Sequence, residues 1–156
     1  MKVLWHTLWQ GSSIAVFRNE VEVDRVEAGQ IQRVFLLHRG SGHTPGDVVQ
    51  VVVELAEECL VFGAETGFAS RVNFERQPYW AERACVHWVS HGRAPLPLRL
   101  RAGHGLLRLS APAFTRAPRQ ELAAAMNRWP VQGPQTWDER KRRRIEQAQP
   151  FSLEHA

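Results

Sequence analysis

Four short runs of β-branched and aromatic residues fill the first 38 positions, and each is closed by turn residues. Residues 3–9 stop at Gly11, residues 12–18 at Asn19 and Glu20, residues 21–26 at a Glu-Ala-Gly-Gln stretch, and residues 31–38 at a glycine-containing loop. Runs this short, separated by turn signals, read as successive strands and not as helices. If residues 27–30 close a four-residue loop, the register sets Val23 opposite Val34, Val21 opposite Leu36 and Asp24 opposite Arg33. Residues 34–37 are apolar on both faces, the pattern of a strand central in a sheet or covered by a helix.

Residues 48–62 give conflicting signals. Thr44, Pro45 and Asp47 look like a helix start, and Val48, Val52, Leu55, Ala56 and Cys59 fall on one helical face. The valine-rich run favours a strand, because β-branched side chains lose rotamers in a helix, and a hairpin turning at Ala56 and Glu57 is the rival.

Residues 84–110 concentrate the chemistry. Cys85, His87 and His91 have residue types that zinc accepts, with Cys85 and His87 on one side of a strand and a turn able to bring His91 back. Three ligands fall short of a closed structural zinc site, and the plainer reading is a small buried thiol beside ordinary histidines. With residues 102–105 as a loop, Leu100 pairs with Leu107 and Leu98 with Leu109. The same register opposes Arg99 to Arg108, with Arg101 on their face. Like charges directly opposed are unfavourable unless an anion lies near, so this face asks for an acidic partner.

Beyond Ser110, residues 111–118 read as a linker. A helix opened by Pro118 then carries an apolar stripe of Leu122, Ala125, Met126 and Trp129. A second helix is signposted by Thr136 with Glu139 and stopped by Pro150. It has almost no apolar stripe but carries Trp137 and the run Arg140, Lys141, Arg142, Arg143 and Arg144. The expected fold is α+β and mostly β: an antiparallel sheet or small β-sandwich over residues 1–113, a packed helix over 114–130, and a basic helical arm over 131–156.

Charge follows the same division. Residues 1–113 hold 12 Lys and Arg against 11 Asp and Glu, a net of +1; residues 114–156 hold 8 against 5, a net of +3, for +4 overall. No nucleophile elbow, phosphate loop or secretory signal is visible, and no apolar run approaches a membrane span. Two cysteines are too few for a disulfide framework and point to the cytoplasm. The leading expectation is a non-enzymatic binding protein. It docks an acidic protein surface through Arg99, Arg101 and Arg108 together with Trp137, Arg140, Lys141, Arg143 and Arg144, and homo-oligomerisation is open to it. One alternative is a zinc-dependent hydrolase or nuclease centred on Cys85, His87 and His91, with Glu57 or Glu58 as base. Another is sequence-tolerant nucleic-acid binding through the basic run.

Overall fold

The computed structural model describes residues 3–40, 47–66, 86–101 and 113–131. Their mostly β architecture matches the sequence reading. A three-stranded sheet is built from β1 (Trp5–Gln10), β2 (Ser13–Arg18) and β3 (Val21–Glu27), paired antiparallel in that order. A five-stranded sheet is formed by β4 (Arg33–His38), β5 (Val48–Glu54), β6 (Glu58–Gly63), β7 (Val86–Ser90) and β8 (Phe114–Pro118), in the order β7-β4-β5-β6-β8. β7 runs parallel to β4, so this sheet is mixed and not wholly antiparallel. One α-helix, α1 (Arg119–Met126), is present among the described residues, and the second helix expected from the sequence lies outside them.

The layering follows from which strands are apolar on both faces. β4 alternates Val34 and Leu36 on one side with Phe35 and Leu37 on the other, and all four are buried. Both faces of the larger sheet therefore need cover. The three-stranded sheet covers one through Ile14, Val16 and Val26, with Trp5 and Trp9 packed alongside. α1 and the segment after β7 cover the other through Leu122, Met126, Trp129, Leu96 and Leu100. A three-layer stack results, two packed sheets and one helix laid on the larger.

β3 and β4 do not form the expected hairpin. β3 instead pairs with β2, and residues Ala28–Gln30 form a 3-10 turn in which the Ala28 N–H donates to the Ser12 carbonyl at 2.9 Å, as the chain passes from one sheet to the other. The physical reason is burial. Val21 and Val23 are exposed at the rim of the small sheet, whereas Val34 and Leu36 occupy the centre of the large one. Asp24 and Arg33 each find another opposite charge, Arg116 and Glu54 respectively.

Residues 48–63 are a hairpin, and β-propensity outweighs the cap signal. Glu54 pairs with Cys59, and the Leu55 N–H donates to the Glu58 carbonyl at 2.8 Å around a turn at Ala56 and Glu57. Residues 114–118 are a strand and not a linker: β8 pairs with β6 and leads directly into α1.

One ion cluster clamps the two sheets. Arg116 on β8 donates through Nε and a terminal nitrogen to both Asp24 carboxylate oxygens, at 2.6 and 2.7 Å, and also reaches Glu58. Burial alone would raise the Asp24 carboxyl, but the Arg116 guanidinium and the Arg25 N–H hold it below its ordinary value. The cluster is partly exposed, so Arg116→Ala is expected to lower stability by only about 1 kcal/mol. Urea unfolding checks this as a lower midpoint with an unchanged slope.

Candidate functional site

The segment leaving β7 forms one wall of a groove against the helix. Proline cannot donate to a sheet ladder, so Pro95 and Pro97 keep residues 93–101 from adding a strand. Ala94, Leu96 and Leu100 instead turn into the helix-side core, and the intervening residues turn outward. Gln50, buried on β5, anchors the segment by donating from Nε2 to the Leu100 carbonyl at 2.7 Å, while its Oε1 lies 3.2 Å from His91 Nε2. Trp129, at the end of the helical segment, donates from Nε1 to the Pro95 carbonyl at 3.3 Å and packs edge-on against Phe35, with ring centroids 5.2 Å apart.

α1 is fixed opposite this segment. Leu122 and Met126, four residues apart, are buried on one side of the helix as the sequence spacing predicts. At its start Glu54, 2% exposed, accepts from Arg33 through both carboxylate oxygens at 2.6 and 2.7 Å, and from Arg119 Nε at 3.2 Å. Burial by itself would push the Glu54 carboxyl up. Hydrogen bonds and charge from Arg33 and Arg119 reverse that and hold it below its ordinary 4.5.

Between segment and helix lies a groove of about 480 Å³. Its apolar parts include Pro95, Pro97, Ala124 and Trp129, and Arg93 and Arg128 stand on its rim. Glu121 is the single carboxylate among the described residues that line it, and Arg99 already engages that group through Nε and a terminal nitrogen. Leu98, 70% exposed, and Val131, 41% exposed, follow groove-lining residues in sequence. Residues 93–101 carry three Arg and no acid, a local net of +3.

The arginine face anticipated from the sequence is therefore built differently. Residues Leu98–Leu100 form a 3-10 turn and not a strand, so Arg99 is not held in a ladder facing a second strand. Its anion is Glu121 of α1, and Arg101 donates from Nε to the Leu96 carbonyl at 2.7 Å, bracing the groove wall. Arg108, Trp137, Arg140, Lys141, Arg143 and Arg144 lie outside the described residues. Arg93 and Arg128 are not anticipated: they line one groove from positions 35 residues apart, and the only local signal is the Ala-Pro-Leu-Pro-Leu stretch, extended by its prolines yet unfit for a central strand.

Of the candidate metal ligands, Cys85 lies outside the described residues. His87 stacks on Phe35, with centroids 5.4 Å apart, and burial and the nearby Arg33 keep its imidazole below its ordinary 6.5. His91 sits on the turn after β7, beside Gln50. Among the described residues no three His, Cys, Asp or Glu side chains gather as a metal site. The two carboxylates expected as a base, Glu57 and Glu58, are exposed at the β5–β6 turn, and the neighbouring Glu54 is consumed by its arginines. There they border a hollow of about 580 Å³ together with Gln30 and Gln32. That hollow brings carboxylates and amides together, but no imidazole among the described residues that line it.

Among the described residues no helix is long and apolar enough to cross a membrane. No family model, no curated protein and no solved structure matches the chain.

Proposed function

We propose that the protein is a non-enzymatic binding module that takes an acidic, apolar-studded protein segment into the groove between residues 93–101 and α1. The observation that carries this reading is the pairing of an apolar floor with positive charge: Arg93 and Arg128 rim the groove, and the single carboxylate among the described residues that line it is already engaged by Arg99. An apolar centre with a charged rim is the usual anatomy of a protein-docking surface. Charges on such a rim speed encounter and select the sign of the partner more than they add affinity. The basic run containing Arg140, Lys141, Arg143 and Arg144, with Trp137 before it, follows the groove in sequence and would extend the same preference.

A labelled peptide alternating Glu with Leu, its Gln-for-Glu counterpart and a single-stranded oligonucleotide separate the readings. The acidic peptide is expected to bind, the neutral one to bind at least about tenfold more weakly, and the Arg93→Glu, Arg128→Glu double variant to lose at least about tenfold in affinity. Equal affinity of the double variant for the acidic peptide would sink the proposal. Tighter binding of the oligonucleotide, with a steep salt dependence, would instead favour nucleic-acid recognition.

A further inference from the structure

Five of the seven large hydrophobic side chains exposed among the described residues lie in the three-stranded layer: Val3, Leu4, Leu8, Val21 and Val23. Two of them alternate with acids on β3, where the order from residue 20 is Glu-Val-Glu-Val-Asp. Val21 and Val23 are 64% and 48% exposed, and Glu20 and Glu22 are exposed beside them. Residues 20–27 hold four acids and one Arg, a net of −3, and residues 93–101 a net of +3. Glu22 is held by Arg25 within its own strand, and with Arg116 counted against Asp24 and Glu121 against Arg99 the two surfaces carry −2 and +2, still opposite in sign and equal in size.

β3 also ends its sheet among the described residues. The register shift against β2 between Val16 and Phe17 and the density of charge are devices that discourage edge-to-edge backbone pairing. Contact through its side chains remains open to it. An acidic strand studded with valines has the chemistry that the groove's apolar floor and arginine rim accept.

The two surfaces cannot meet within one molecule. The small sheet covers one face of the five-stranded sheet, while α1 and residues 94–100 cover the other. We infer that the groove's partner is a second copy of this chain, which inserts its β3 edge, Glu20 to Val23, against the Arg93 and Arg128 rim. This rests on the reading of the groove as an acidic-segment site and names its occupant. The contact is heterologous: each copy offers one groove and one edge, so association continues beyond two unless a ring closes.

Sedimentation velocity on the full chain tests this, at about 0.01 M salt, where the Debye length is ~30 Å, and at about 1 M, where it is ~3 Å. The expected result is a mean mass that rises with protein concentration at low salt and falls to the monomer at high salt. Groove-defective protein (Arg93→Glu, Arg128→Glu) and edge-defective protein (Val21→Ser, Glu22→Lys) are each expected to be monomeric alone. Mixed, they are expected to form a species of twice the monomer mass and nothing larger, because one intact groove then meets one intact edge. A misfolded variant could not restore that dimer. Wild-type protein that stays monomeric at low salt overturns the inference, as does a dimer that persists in both variants. If the monomer still binds the Glu-Leu peptide through Arg93 and Arg128, the self-partner falls and the groove reading stands; if it does not, both fall.

Discussion

Replacing Phe35 with alanine is expected to lower stability by about 3–5 kcal/mol, the range for truncating a fully buried aromatic in a core that relaxes only partly. Phe35 is 1% exposed on the helix side of β4, and three partners converge on its ring. Trp129 meets it edge-on, His87 stacks at 5.4 Å, and the Arg33 guanidinium sits 5.0 Å from its centroid. Losing the ring removes the support under Trp129, and with it the floor of the groove. Phe35→Ala is therefore expected to weaken peptide binding even at temperatures where the protein remains folded. Urea unfolding measures the first effect, and a loss below about 1 kcal/mol would mean that Phe35 is not a keystone of this layer.

The second large effect concerns Glu54. Glu54→Gln removes the charge that Arg33 and Arg119 share beneath the start of α1. Breaking a buried ion pair by removing one partner typically costs ~3–5 kcal/mol; because both arginines reach solvent, a loss of about 2–3 kcal/mol near neutral pH is expected here. The sign of its pH dependence is fixed. The Glu54 carboxyl is held below its ordinary 4.5 in the folded chain, so its stabilisation is fully present above that value and is lost as pH falls through the lower folded one. Wild type and variant should therefore differ near neutral pH and converge as pH falls below the ordinary 4.5 of Glu54. Asp24 is depressed by Arg116 in the same direction, so the variant keeps part of the acid sensitivity. A gap that stayed constant with pH would show that the substitution acts through packing and not through charge.

How much of this is legible in the sequence depends on the range of the interaction. Local signals read well. The polar break at Asn19 and Glu20 is a tight turn with positive φ at both residues, and the spacing of Leu122 and Met126 is the buried side of α1. The two-sided apolar pattern of residues 34–37 marks a central strand, and β4 does lie between β7 and β5. The register of β3 against β4 misleads because a short loop and three sensible pairs are consistent with a hairpin, yet sequence pairing does not reveal that the two segments face different burial. Residues 48–62 are undecided locally, since a helix-start signal and a valine run oppose each other. The demand for a two-sided strand beside β4 decides between them.

The site was only half legible. The sequence reading gives Arg99 an external anion because it opposes Arg99 to Arg108 across a hairpin, whereas Leu98–Leu100 is a 3-10 turn and the anion, Glu121, lies 22 residues on, in an element whose docking no local pattern specifies. The groove itself depends on two prolines denying residues 93–101 a place in the sheet, so that the segment runs over the face and leaves space against α1. Ion pairs between segments distant in sequence, Arg119 with Glu54 and Arg116 with Asp24, tie the layers together in the same way.

Hydrogen exchange of the full chain, with and without the Glu-Leu peptide, tests the central claim most directly, because it locates the contact as well as detecting it. The account predicts that added protection concentrates in residues 93–101 and 121–131 and vanishes in the Arg93→Glu, Arg128→Glu variant. Protection confined to the β5–β6 turn, or to the three-stranded sheet, would contradict it.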